Sequence, residues 1–174
     1  MALTVQERET WLREHIPHRV RACLAITSRL GTLLGGLPQW IVNSGAEKIA
    51  RRCETDAIWE GRICSMRWLI EFVGLTEDKN GNPITRLKPK PSDFGIDDLR
   101  GTTISPASPE ASILAKVWKG GTQGSSHPTH QSGHPIVNES ELDAALKVIM
   151  DHLDKTIYAN APTKIAVLAL QPPA

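Results

Sequence analysis

From Ser44 to Phe72 the chain runs for 29 residues without a proline, and Gly61 is the one interior weak point. At the helical rise this is a rod of about 43 Å, the strongest single element in the sequence, and it commits the chain to a helical fold. Ser44 is the natural N-cap. Ile49, Cys53, Ala57, Gly61, Cys64, Trp68 and Phe72 fall on one stripe, whose small middle residues let a neighbouring helix approach closely. Asp56, Glu60, Arg67 and Glu71 line another face at three- to four-residue spacing.

Three further segments carry the helical period. Thr4 and Glu7 form a capping-box pattern for a short helix reaching about His15, where Pro17 removes a backbone donor and opens the next helix, over about 17–34. That helix buries Val20, Cys23, Leu24, Leu30 and Leu34 and stops at Gly35, Gly36 and Pro38. Ser108 and Pro109 begin a helix over 109–119, buried through Ile113, Leu114, Val117 and Trp118. Asn138 and Glu141 cap a last helix over 139–159, buried through Leu142, Leu146, Ile149, Met150, Leu153 and Ile157. The long run itself extends over 44–73. The sequence therefore predicts an all-α fold, a single bundle of four to five helices in one domain.

Between the helices, residues 76–108 form a long irregular insertion. Asn80-Gly81-Asn82-Pro83 signals a turn, and Ile84 to Leu87 suits a short strand. Phe94, Ile96 and Leu99 are apolar enough to pin its second half onto the helices. The tail over 160–174 carries a strand-like apolar patch, Ile165 to Leu170, which docks on the body or on a second copy.

Charge and cysteine content narrow the function classes. Twenty basic and nineteen acidic side chains nearly cancel, so any contact with nucleic acid is local rather than spread over a basic surface. Cys23, Cys53 and Cys64 are odd in number with no CxxC pair, and read as buried thiols in a reducing cytoplasm. The opening MALTVQERETW lacks the apolar core of a signal peptide, and no apolar run reaches the roughly 20 residues of a membrane span. The expected address is cytoplasmic. The common phosphate-loop, dinucleotide, zinc-protease and GxSxG hydrolase motifs are absent.

The sharpest chemical feature is His127, His130 and His134, three imidazoles within eight residues after Gly120-Gly121. Imidazole ligates metals and exchanges protons near neutral pH. As a metal site, His127, His130 and His134 need a fourth ligand, with His15, His18, Asp56 or Glu60 available. The blander alternative is a surface loop stiffened by Pro128 and Pro135. Arg62, Arg67, Lys116 and Lys119 supply positive charge beside the loop if the long helix and the 109–119 helix pack with those sides together. Arginine would then hold a phosphate by its fork while His127 or His130 serves as base at a neighbouring 2′-hydroxyl. The alternative for Arg67 is a pairing with Glu71 on a wet helix face. Trp68 and Trp118 lie on apolar stripes and are expected in the core, and Trp40 anchors a loop.

The order of a long helix IWEGRICSMRWLIEFVGL, a loop containing KPSDFGIDDL and a helix leading into SSHPTH resembles bacterial proteins of the HEPN superfamily. The resemblance covers about residues 44–159, and its most telling pieces run from Arg62 to Phe72 and from Lys116 to His130. It implies a helical bundle, commonly dimeric, of the kind found in toxin-antitoxin, abortive-infection and RNA-processing systems, where many members are ribonucleases that need no metal. The family's arginine-to-histidine signature at a late helix is not present: Lys116 stands too far from His127 and is not arginine. The resulting expectation is an RNA- or nucleotide-contacting protein, a homodimer without a cofactor. His127 and His130 would be catalytic, and Arg62, Arg67, Lys116 and Lys119 would bind substrate. The alternatives are a metal protein using the three histidines and a module that grips a protein partner.

Overall fold

The computed structural model describes residues 3–24, 45–86, 93–121 and 137–159, with the backbone alone at 24 and over 45–58. The described residues form four helical rods and one small hairpin. The first rod, α1, joins a helix Val5–Thr10, a π turn Trp11–His15 and a helix Ile16–Leu24. The long rod α2 spans Gly45–Phe72. Strands β1, Leu75–Glu77, and β2, Pro83–Thr85, pair antiparallel with Thr76 opposite Ile84. After a 3-10 turn at Ile96–Leu99 come α3, Ala111–Gly120, and α4, Glu139–Leu153, the last continued by a π turn Asp154–Tyr158. The all-α expectation holds, with the hairpin as a minor addition.

Both expected capping boxes form. Thr4 accepts from the Glu7 backbone while Glu7 reaches back to Thr4, and Asn138 and Glu141 do the same at the start of α4. Each satisfies donors that a helix start leaves open. The described parts of the insertion, 76–86 and 93–108, carry a hairpin and a 3-10 turn. The Asp78 carboxylate accepts from the backbone of Asn80 and Asn82 and from the Asn82 amide, which closes the hairpin turn and holds its own pKa down. Ile96 and Leu99 are buried as expected, and Phe94 stacks on Trp11.

Pro17 does not break the first helix. In the π turn before it, the Ile16 N–H donates to Trp11 O, five residues back. The wider turn accommodates a ring that would crowd an α-helical carbonyl. The carbonyl of Leu12 is thereby orphaned, since its π partner would be the N–H that Pro17 lacks. Tyr158 supplies the missing donor, its hydroxyl lying 3.0 Å from Leu12 O. The ring is buried, which pushes the phenol pKa up. Tyr158→Phe should lower stability by about 1–2 kcal/mol, the cost of a carbonyl left without its donor, read from the urea midpoint; an unchanged midpoint would show that water replaces the hydroxyl.

Over the described side chains, 59–72, the buried stripe of α2 is the expected one only at Phe72. Ile63, Met66, Leu69, Ile70 and Phe72 face the core, joined by the polar Arg62 and Ser65. Cys64 is exposed, and among the described residues a side chain placed at Gly61 would meet nothing within 4 Å. The expectation of a buried Cys64 and of close approach at Gly61 is therefore overturned. Before Phe72 the buried positions are offset from the expected ones by about one or two residues, because Arg62 can turn inward where Cys23 O, Glu139 and Asp143 accept its donors. Cys23 is buried as expected, and burial pushes its thiol pKa up to about 12. Trp68 and Trp118 are half-buried at the rim rather than in the core.

The second half of the expected 17–34 helix, the side chain of Cys53, Trp40, the histidines 127, 130 and 134, and the tail patch Ile165 to Leu170 lie outside the described residues.

Candidate functional site

The candidate site gathers around the ends of the segment that carries the histidines. Gly120 and Val137, which bracket residues 122–136 together with Gly121, are in contact: a Cβ on Gly120 would lie 2.4 Å from Val137 Cγ2. Gly121 is pressed against α2, where its Cβ would lie 3.0 Å from Ile63 Cγ2 and 3.4 Å from Arg67 Cβ. The segment thus leaves and returns at one narrow neck beside the Ile63–Arg67 stretch. Glycine at 120 and 121 is what permits this approach.

The four cations named from sequence stand around this neck in different states. Arg62 is 5% exposed and works as an internal clamp. Its Nε donates to Cys23 O at 2.8 Å, Nη1 to Glu139 at 3.1 Å and Nη2 to Asp143 at 3.0 Å. The Cys23 thiol lies 3.8 Å from Arg62 O and donates back to it. One guanidinium therefore ties α1 and α2 to the start of α4. Lys116 pairs with Glu141 at the α4 cap and helps hold that carboxyl below its usual range. Lys119 reaches the hairpin turn, its Nζ 3.4 Å from where a Gly81 Cβ would sit. It opposes the rise that burial gives the Glu77 carboxyl.

Arg67 lies against the neck at Gly121. Its Nε donates to Glu71 Oε1 at 3.0 Å, and its guanidinium lies over the Trp118 ring, 4.9 Å from the centroid. The Trp118 indole N–H donates to the same oxygen at 2.9 Å. Arg67 and Trp118 are both half-buried. Of the four cations, Arg67 is the one that meets the other helix here, at Trp118 of α3, whereas Arg62 faces α1 and α4, Lys116 faces α4 and Lys119 faces the hairpin turn. The Arg67–Glu71 pairing read from sequence is present, and Arg67 lies beside Gly121; His127, His130 and His134 lie outside the described residues.

Sequence reasoning did not find the neighbouring feature. Glu71 is a hub: its Oε2 lies 3.6 Å from Arg86, which also lies 3.8 Å from Asp93. Beside it Trp11 stacks on Phe94 with centroids 4.0 Å apart, and Trp68 stacks on Phe72 at 5.2 Å. Arg19 lies over Trp68. Trp11, Trp68 and Phe94 are 57 and 26 residues apart along the chain, and no local pattern links residues at such distances.

His15 and His18 are exposed, and the His15 ring rests 4.6 Å from that of Trp11. Among the described residues no group of three His, Cys, Asp or Glu could hold a metal ion, and no helix is long and apolar enough to cross a membrane. Comparison of the chain with family models, with curated proteins and with solved structures finds no match.

Proposed function

We propose that this is a HEPN-like helical protein that contacts RNA or a nucleotide at the neck of the histidine segment. The observation that carries the reading is the position of Arg67 and Trp118: a half-exposed guanidinium on a half-exposed indole, against Gly121, where the segment bearing His127 and His130 begins. A guanidinium takes a phosphate by its fork, and an indole takes a base by stacking. Lys116 and Lys119 would add charge on either side, and His127 or His130 would act as base if the bound RNA is cleaved at its 2′-hydroxyl. Arg62 serves this reading indirectly, by holding the returning end of the segment through Glu139. The resemblance that motivates the reading rests on the quoted stretches of sequence, and a homodimer is the assembly it implies.

Fluorescence anisotropy with a labelled single-stranded RNA tests this. Arg67→Ala should weaken binding about tenfold, the order expected for one charge-assisted contact, and the wild-type affinity should fall as salt is raised. His127→Ala should retain binding and lose any cleavage seen with the wild type. No binding by the wild type at low salt, or equal affinity in the Arg67→Ala protein, would remove the neck as an RNA contact.

A further inference from the structure

The Glu71 carboxylate joins the two groups on which the proposed RNA contact rests. Its Oε1 accepts from Arg67 Nε at 3.0 Å and from the Trp118 indole N–H at 2.9 Å. One oxygen thus fastens a cation on α2 to a ring on α3, and the guanidinium lies over that same ring. We propose that Glu71 is the positioning residue of this contact: it touches no RNA itself and holds Arg67 in the pose that receives a phosphate. This role rests on the RNA reading of the neck, and it adds to that site a residue of the opposite charge.

The surroundings of the carboxylate support the role. Arg67 and Glu71 are four apart on one helix, and an exposed pair of that kind contributes little. This carboxylate is 23% exposed and takes a second donor from another helix, so each bond holds the oxygen in place for the other. The bond to Nε also orients the fork. With the Nε–H taken up by Glu71, the edge of Nη1 and Nη2 is the one that can meet two phosphate oxygens. A side chain already held in one pose loses less freedom when a ligand arrives, which favours affinity. Oε2 lies 3.6 Å from Arg86, whose charge offsets that of the carboxylate toward an approaching phosphate.

Charge and position predict opposite signs for the loss of Glu71. A carboxylate beside a phosphate repels it, so by charge alone its removal should tighten RNA binding. By position the same removal should weaken it. Two variants separate the effects: Glu71→Gln removes the charge and keeps an amide oxygen able to accept both bonds, whereas Glu71→Ala removes both.

The test pairs anisotropy on the labelled single-stranded RNA with ¹⁵N spectra of the full-length protein. The spectra follow the Arg67 Nε–H and the Trp118 indole N–H, assigned by Arg67→Lys and Trp118→Phe. In Glu71→Ala the Arg67 signal should be lost to solvent exchange and the Trp118 proton should move upfield, while Glu71→Gln retains both signals. Glu71→Ala should bind RNA about fivefold to tenfold more weakly than the wild type, and Glu71→Gln should bind at least as tightly. The double variant Arg67→Ala with Glu71→Ala should be no weaker than Arg67→Ala alone, because a positioning residue has nothing left to position.

Tighter binding in Glu71→Ala, equal losses in the Gln and Ala variants, or additive losses in the double variant would overturn the role and leave the RNA contact standing. So would N–H signals that stay where they are in Glu71→Ala. A wild type that binds no RNA removes the contact and this role together, even where both signals respond as stated, since the two bonds then serve only the packing of α2 on α3.

Discussion

Arg62→Met will lower the free energy of unfolding by about 2–3 kcal/mol while leaving the RNA affinity of the folded protein unchanged. The side chain is buried, and its Nε satisfies the carbonyl of Cys23. Leaving a buried carbonyl without its donor costs about 1–3 kcal/mol. Glu139 and Asp143 are 61% and 63% exposed, so they rehydrate when the guanidinium is gone. The penalty therefore stays below the roughly 3–5 kcal/mol seen when one member of a fully buried ion pair is stranded. Methionine retains much of the apolar stem, which limits the loss from packing. Urea unfolding gives the stability, and anisotropy measured well below the midpoint gives the affinity. A variant with wild-type stability and lost RNA binding would show that Arg62 serves a ligand and not the bundle.

Gly74→Ala should be of similar or greater severity, at about 3 kcal/mol. Gly74 sits just past the end of α2 at φ +89°, a conformation L side chains rarely adopt. An added Cβ would lie 2.5 Å from Thr103 Cγ2 and 2.7 Å from Thr103 Cβ. The left-handed backbone costs about 1–2 kcal/mol, and relief of the overlap adds about 1–3 kcal/mol. This is also a junction: Gly74 O accepts from Arg86 N, and Val73 O accepts from Ile104 N, both at 2.9 Å. A shift there would disturb the hairpin and the strap around Ile104 together. The melting temperature should fall by about 6–12 °C. Gly61→Ala is the matched control, because its Cβ meets nothing within 4 Å and helix propensity favours alanine. If the two variants melt together, the close contact at Gly74 is not a constraint on the fold.

The candidate site was legible only in part. The pairing of Arg67 with Glu71 followed from their four-residue spacing on one helix. The role of Arg62 did not follow, since a cation four residues into a polar-looking stretch reads as a wet side chain until its partners on α1 and α4 are known. Trp11, Phe94, Asp93 and Arg86 could not be grouped from sequence at all. Each looks ordinary in its own segment, and only the packing of α1 and the strap before the 3-10 turn onto the end of α2 brings them to one cavity.

Sequence alone determined what is decided within a few residues along the chain: both capping boxes, the proline-free length of α2, the buried side of α4 and the presence of a turn around Asn80 to Asn82. Each rests on hydrogen bonds or side-chain periods that close over two to four positions, so the pattern carries its own cause. Tertiary structure decided which stripe of α2 is buried and let α1 continue through Pro17. The first depends on carbonyl and carboxylate partners for Arg62 that lie 39 to 81 residues away, and the second on a tyrosine 146 residues from the carbonyl it satisfies. A polar group can be buried only where distant chain supplies its partner, and that supply is a property of the fold.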